Sequence, residues 1–505
     1  MSIGAIALLV TLVTAAVFTL LGLLHASRQA KNLEDYMVNR NQVGGGMALA
    51  TIVASAMGAW ILFSPPEAGS AFGGITAIFG YCIGSAGAVA LFFWVGPRLR
   101  QLMPQGHSLN EYVKYRFGGA MYWLTEVAMV FYMFIYLAAE LTAIAKALQL
   151  IANVPLGVTA LVVITAVFLY ATYGGLSTTI LTDALQFVVI VPLLLVCFVA
   201  TFMALGGAAG AFGNLGVDHP ELLSLSNLGG LRFGATLIIA IVAAEVFNQG
   251  NWQRVYACRS DRVVRRSFLG SALLILPLLL ISGLLGLMAV QFGLQGDTAF
   301  FELLTQLNAP GWILITVIVL ALALVMSSLD TLLNGIASVF TLDLLRLMPG
   351  QSSAKVLQIS QGLTVLVGLP AIAIAAQGYS VLYLFFVADL ICAAVLFPVL
   401  YGLYSRHVSG RTAFWSSLLG MVIGLIFFPK PDFTPLVPVP GAADLLNSFA
   451  AALVISTLTT LVWTTLAKQT GRATVFSYAD LQQAQSYTRS IDHDSTSDHD
   501  STSTI

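Results

Sequence analysis

The sequence predicts an all-α polytopic membrane protein, and three observations predict it. Hydrophobic residues fill 58% of the 505 positions and charged residues only 9%, whereas a soluble domain carries about 25% charged residues; mean hydropathy is +0.89. The apolar runs are continuous over roughly 20 residues, the length that crosses hydrocarbon as a helix, and do not alternate as barrel strands would. The basic residues sort onto alternate loops. A cytosolic enzyme, a disordered chain and a basic nucleic-acid binder are set aside by the same figures. The formal net charge of -1 names no partner. Cys82, Cys197, Cys258 and Cys392 show no CxxC spacing, so they read as small packing residues and not as a disulfide framework or zinc site.

Thirteen hydrophobic segments are expected, centred near residues 13, 59, 86, 135, 165, 194, 240, 280, 322, 365, 391, 421 and 457. The first, Ile3 to Leu24, lacks a basic start and is too long for a cleaved signal, so it counts as a span. Of the 22 Lys and Arg residues, all except Lys146, Arg232 and Lys430 fall on one set of alternate loops. The positive-inside rule then puts the amino terminus outside and the carboxyl terminus in the cytoplasm of the inner cell membrane. The chain divides into a first span and loop (1–45), five spans (46–205), an outer loop (206–232), five more spans (233–402), two final spans (403–466) and a tail (467–505). The whole tail, 467–505, is expected to be disordered; it ends in an acidic Ser/Thr repeat with His493 and His499, where chance metal capture is the alternative.

The second span is interrupted. Ala54-Ser55-Ala56-Met57-Gly58-Ala59-Trp60 leads into Ser64-Pro65-Pro66-Glu67, and proline after glycine breaks the helical ladder. Freed carbonyls at membrane depth are tolerated where they line a cavity, although a simple proline kink is the other reading. The seventh span shows a comparable interruption from Glu245 through Phe247, Asn248 and Gln249 to Arg254. Two broken spans five helices apart point to an inverted repeat of five helices and to a secondary transporter.

Ionisable and hydroxyl groups inside the other spans are the remaining candidates, since each charge there costs at least about 2.5 kcal/mol. The fourth span carries Tyr132, Tyr136 and Glu140 at four-residue spacing, with Glu126 near the same face. In the ninth, Leu324 and Ser328 share a face in Leu324-Val325-Met326-Ser327-Ser328. Hard oxygen ligands of this kind suit a small cation, but a membrane serine pair also bonds to its own helix four residues back. Asp389 and Glu245 are similar buried acids that spacing alone does not place.

These motifs together resemble the sodium:solute symporter family. The resemblance rests on Tyr170-Ala171-Thr172-Tyr173-Gly174-Gly175 running on to Asp183 and Gln186, on Asn248-Gln249 to Gln253-Arg254, on Ser327-Ser328 to Asp343, and on Leu33-Glu34-Asp35-Tyr36-Met37. It covers about residues 10 to 465. It implies a LeuT-like fold of ten core helices with one extra helix before and two after. It implies a sodium site formed by Ala54, Met57, Leu324, Ser327 and Ser328, with Asp183 on the sodium exit path. Proline-type members tend to carry Asp where Ala56 stands, and the sugar branch carries Glu-Gln near Trp60-Ile61, so neither branch is matched in full.

The function implied is therefore sodium-coupled import of a small solute by alternating access, with no bond made or broken and no catalytic residue. Trp60, Glu67, Glu140, Phe247 and Asn248 are the expected solute-binding residues. The carboxylates at Glu67 and Glu140 point to a zwitterion or cation such as proline or a related osmolyte. Na⁺ is the coupling ion, and the lipid bilayer and the solute are the only partners expected, with neither nucleic acid nor an obligatory protein partner. A proton-coupled carrier using Glu140 or Asp389, and a transporter-like sensor with a separate signalling partner, are the alternatives.

Overall fold

The computed structural model describes residues 3–26 and 33–483. The acidic repeat, with His493 and His499, lies outside them. The described residues fold into twenty α-helices: α1 (Ile3–Ala26), α2 (Leu33–Met37), α3 (Gly45–Ala56), α4 (Ser64–Glu67), α5 (Gly74–Leu102), α6 (Leu109–Phe117), α7 (Gly119–Ala152), α8 (Leu156–Ala204), α9 (Gly207–Asp218) and α10 (Pro220–Leu223) in the first half. The second half holds α11 (Leu228–Val246), α12 (Gln249–Ala257), α13 (Asp261–Ala289), α14 (Ala299–Gln306), α15 (Gly311–Leu347), α16 (Ser353–Ala375), α17 (Val381–Tyr401), α18 (Gly410–Phe427), α19 (Leu445–Gln469) and α20 (Ala479–Gln483). Among the described residues, β-structure is limited to isolated bridges, of which the parallel Val43–Cys258 pair matters most.

Helix starts follow side-chain chemistry. Ser108, Asn227, Ser260, Ser352, Ser380, Ser409 and Asp444 each accept a backbone N–H two or three residues on, capping α6, α11, α13, α16, α17, α18 and α19. These caps satisfy amides that the first helical turn leaves without partners.

Among the described residues, eleven helical stretches are long and apolar enough to cross a membrane, and α3 and the first part of α8 are shorter apolar helices. The expected count of thirteen segments is distributed differently for two physical reasons. The second segment is broken into α3, a 3₁₀ turn at Ala59–Leu62, α4 and a π turn at Ala68–Gly73. The fifth and sixth run together as α8, which bends at Gly175 with φ of 60°. A side chain there would place its Cβ 2.6 Å from the Tyr36 ring and 2.8 Å from its carbonyl oxygen, so the bend needs glycine twice over.

The core is formed by α3 and its broken continuation, α5, α7, α11, α13, α15 and α17 packing on one another. Outside it, α1 lies on α8, and α18 and α19 pair together against α17. The segment 206–232 contains the short α9 and α10. The tail is not disordered throughout as expected: α20 lies beside α5 and α6, and Tyr478 donates to the Gly402 carbonyl at 2.9 Å, which holds this part against the core. At one end of the molecule the two interrupted elements clasp: Val43 N–H donates to Ala257 O and Arg259 N–H to Val43 O, both at 2.9 Å. Gln253 Nε2 donates to Met37 O at 2.7 Å in the same clasp.

Candidate functional site

The break between α3 and the 3₁₀ turn is built around a carboxylate. Met57 and Gly58 are extended, which releases the backbone N–H of Ala59 from helical pairing. Glu140 of α7 accepts that N–H at 2.8 Å through Oε2. Gly58 permits the approach, because a Cβ there would lie 1.7 Å from Glu140 Oε1. Glu140 is thus a buried cap on the broken helix and lies outside the wall of the main cavity.

Against this break packs α15, the helix that carries Leu324, Ser327 and Ser328; these three, like Ala54 and Met57, are buried. Ser328 Oγ donates to Leu324 O at 3.1 Å, the bond to its own helix that the sequence left open. That bond spends the hydroxyl's one proton and leaves the lone pairs of Ser328 Oγ available to a cation. Ser327 Oγ donates to Asp183 Oδ1 at 2.5 Å.

Asp183 belongs to a buried network. Its Oδ2 accepts from Arg254 of α12 at 2.6 Å and from Thr51 of α3 at 2.5 Å. Arg254 also donates to Thr331 Oγ1 at 2.8 Å and to Thr51 Oγ1 at 3.0 Å. Four helices of both halves therefore meet at one ion pair. Beside it, Asp330 accepts from Tyr170 at 3.0 Å and Thr182 at 3.1 Å.

Next to the break lies a cavity walled by aromatic rings and two acids. Trp60 stacks on Tyr81 with centroids 5.5 Å apart, and its Nε1 donates to Tyr136 Oη at 3.0 Å. Phe385 of α17 meets Trp60 and Tyr136 edge-on at 5.8 and 5.0 Å. Tyr132, Glu245, Asp389 and Met57 complete the relevant wall. Glu245 accepts from Tyr132 at 2.9 Å, Asn248 at 3.1 Å and Asn251 at 2.7 Å.

Of the expected solute-binding residues, Trp60 alone lines this cavity. Asn248 stands one layer back, capping α12 through Gly250 N–H and holding Glu245. Phe247 is fully buried at the end of α11. Glu67 accepts from Ser380 at 2.9 Å, at the start of α17. Near it Lys146 pairs with Asp297. Tyr81 and Phe385 were not singled out in the sequence, since an aromatic residue inside an apolar span carries no signal of its own.

At the clasped end a chain of alternating charges runs outside the spans. Arg40 meets Glu34 at 2.5 Å, Glu34 meets His107 at 2.6 Å, and His107 meets Glu111 at 3.3 Å. Burial alone would lower the His107 pKa, but Glu111 and Glu34 outweigh it and raise it to about 9. Burial would raise Glu34, but His107 and Arg40 hold it down at about 2.

Known proteins place this arrangement. A spermidine transporter of Candida albicans is 26% identical over 425 residues, covering 81% of this chain and 78% of that protein. The sodium/glucose cotransporter of Vibrio parahaemolyticus is 24% identical over 401 residues, covering 70% and 72%. Among solved structures, a Na⁺-coupled sialic acid symporter in a substrate-bound outward-open state superposes with TM-score 0.74 at 16% identity, covering 94% of this chain and 99% of the other. Mhp1 in an inward-facing conformation gives TM-score 0.54 at 17% identity, covering 91% and 100%. The likeness in fold shows a LeuT-type architecture. The signature of the Sodium:solute symporter family matches residues 36–420, and the chain belongs to that family.

Proposed function

We propose that this chain is a sodium-driven symporter that imports a small organic solute, with its amino terminus outside and its carboxyl terminus in the cytoplasm. Sodium is held by the carbonyls of Ala54, Met57 and Leu324 and the hydroxyls of Ser327 and Ser328, and leaves past Asp183. The observation that carries this reading is the position of Met57, which sits in the helix break packed by α15 and also lines the aromatic cavity. An ion bound there couples to solute because it bridges two elements that move relative to each other and so has different affinity for the two states. One sodium falling through 100 mV supplies about 2.3 kcal/mol, and each tenfold concentration ratio adds about 1.4 kcal/mol.

The relatives named for spermidine and glucose support symport of a small solute and leave its class to the cavity. A proton-driven cycle is the second reading, favoured by Glu140, whose Oε1 is buried at the break without a hydrogen-bond partner. Uptake into proteoliposomes with sodium replaced by potassium at fixed pH separates the two. Loss of uptake supports sodium; persistence of uptake driven by a proton gradient overturns it.

A further inference from the structure

We propose that the solute is an organic amine cation without a carboxylate of its own, and that Glu245 and Asp389 are its counter-ions. The inference rests on the symporter reading above and deepens it. Two acids face one cavity, Glu245 from α11 and Asp389 from α17, and none of the described residues lining that cavity is Lys, Arg or His.

The two acids differ in a way that points to a ligand. Glu245 is held by three donors, so its orientation is set before any solute arrives. Asp389 is 3% exposed, and its Oδ1 has no hydrogen-bond partner. An acceptor buried without a donor is costly and rarely left so in a folded protein. An ammonium group supplies both the missing donor and the missing charge.

Four rings of the wall agree, and Val89, Leu237, Ile241, Ile275, Leu279 and Leu382 make the remainder mostly aliphatic, which suits a carbon skeleton. Trp60, Tyr81, Tyr136 and Phe385 present ring faces and edges to one another around the same space, and ring faces attract cations. A zwitterionic amino acid would bring its carboxylate into a cavity that already holds two acids and no base. A sugar would leave both charges unpaired. The sequence expected a zwitterion or a cation, and the chemistry of the wall selects the cation.

The test uses the purified full-length protein and follows its thermal unfolding with sodium alone, then with putrescine, spermidine, proline or glucose added. Putrescine and spermidine are expected to stabilise the protein in sodium, and proline and glucose are not. Asp389→Asn and Glu245→Gln are each expected to weaken the amine response at least tenfold in concentration while keeping the response to sodium alone. If Asp389→Asn does not purify, Glu245→Gln carries the same expectation, and the comparison of amines with proline in the unmodified protein decides alone.

Amines without effect on a protein that sodium stabilises would overturn the proposal, as would stabilisation by proline or glucose in their place, or an unchanged amine response in both variants. Amine stabilisation with no response to sodium would sink the sodium reading and leave the amine site standing.

Discussion

Arg254 places its guanidinium 2.6 Å from the carboxylate of Asp183, and both side chains are almost wholly buried. The pair joins α12 of the second half to α8 of the first, and Thr51 and Thr331 add bonds from α3 and α15. Breaking a buried pair by removing one partner leaves an uncompensated charge and costs about 3–5 kcal/mol. Arg254→Met and Asp183→Asn should therefore each lower the thermal unfolding temperature sharply. The double variant should recover most of the loss, because neither charge then remains alone. Additive losses in this cycle, measured by thermal unfolding in detergent, would show that the pair does not act as a unit.

The helix break makes a second prediction through Gly58 and Glu140. A methyl group at position 58 would sit 1.7 Å from Glu140 Oε1 and must push the carboxylate off the Ala59 N–H. Leaving the buried Ala59 N–H without an acceptor costs about 1–3 kcal/mol. Gly58→Ala is expected to cost about that much stability and to abolish uptake. Glu140→Gln keeps an oxygen acceptor for Ala59 and should be milder than Glu140→Ala. The combination of Gly58→Ala with Glu140→Ala should cost little beyond Glu140→Ala itself, since the clash has then been removed. A double variant measured as the sum of the two singles would refute this account.

Charge at the clasped end makes the third. His107 binds its proton more tightly in the folded protein, with a pKa of about 9 against an ordinary 6.5. Its contribution to stability is complete below pH 6.5 and is lost as the pH rises through 9. Glu34 has the opposite sign, with about 2 against an ordinary 4.5, so its contribution is present above pH 4.5 and fades as the pH falls toward 2. Unfolding temperature should be level between about pH 5 and 6.5 and decline steadily on the alkaline side. His107→Gln should flatten the alkaline decline, and an unchanged slope in that variant would assign the decline to other groups.

What could be read from the sequence, and what could not, follows from which signals survive without coordinates. Hydropathy and the two interruptions were enough for the helical repeat, because a proline pair after Gly58 and a polar run after Glu245 are local facts. In the sequence Gly175 is only part of a motif; that α8 bends there depends on one positive φ and on Tyr36 lying against it. Of the residues near the breaks, Trp60 lines the cavity, whereas Glu67 reaches away to Ser380 and Asn248 spends its side chain on α12 and Glu245. Glu245 and Asp389 were visible as buried acids, but only the packing of α11 and α17 brings them to one wall. Tyr81 and Phe385 had no signal at all, since rings are ordinary in apolar helices.

The sodium site makes the last prediction. Ser328 spends its proton on the Leu324 carbonyl and so offers only lone pairs outward. Ser328→Ala removes one oxygen of the proposed sodium site while leaving the backbone bonding of α15 and the Ser327–Asp183 contact in place. The sodium concentration for half-maximal uptake should rise at least tenfold, which corresponds to about 1.4 kcal/mol. Ser328→Thr keeps the hydroxyl and should stay near the original value if the added methyl group is accommodated. Because Met57 belongs to both the break and the cavity wall, weaker sodium binding should also raise the apparent solute constant at low sodium and restore it at saturating sodium, as linkage requires. Uptake in proteoliposomes across a sodium series reads both effects. Unchanged sodium dependence in Ser328→Ala would remove Ser328 from the site.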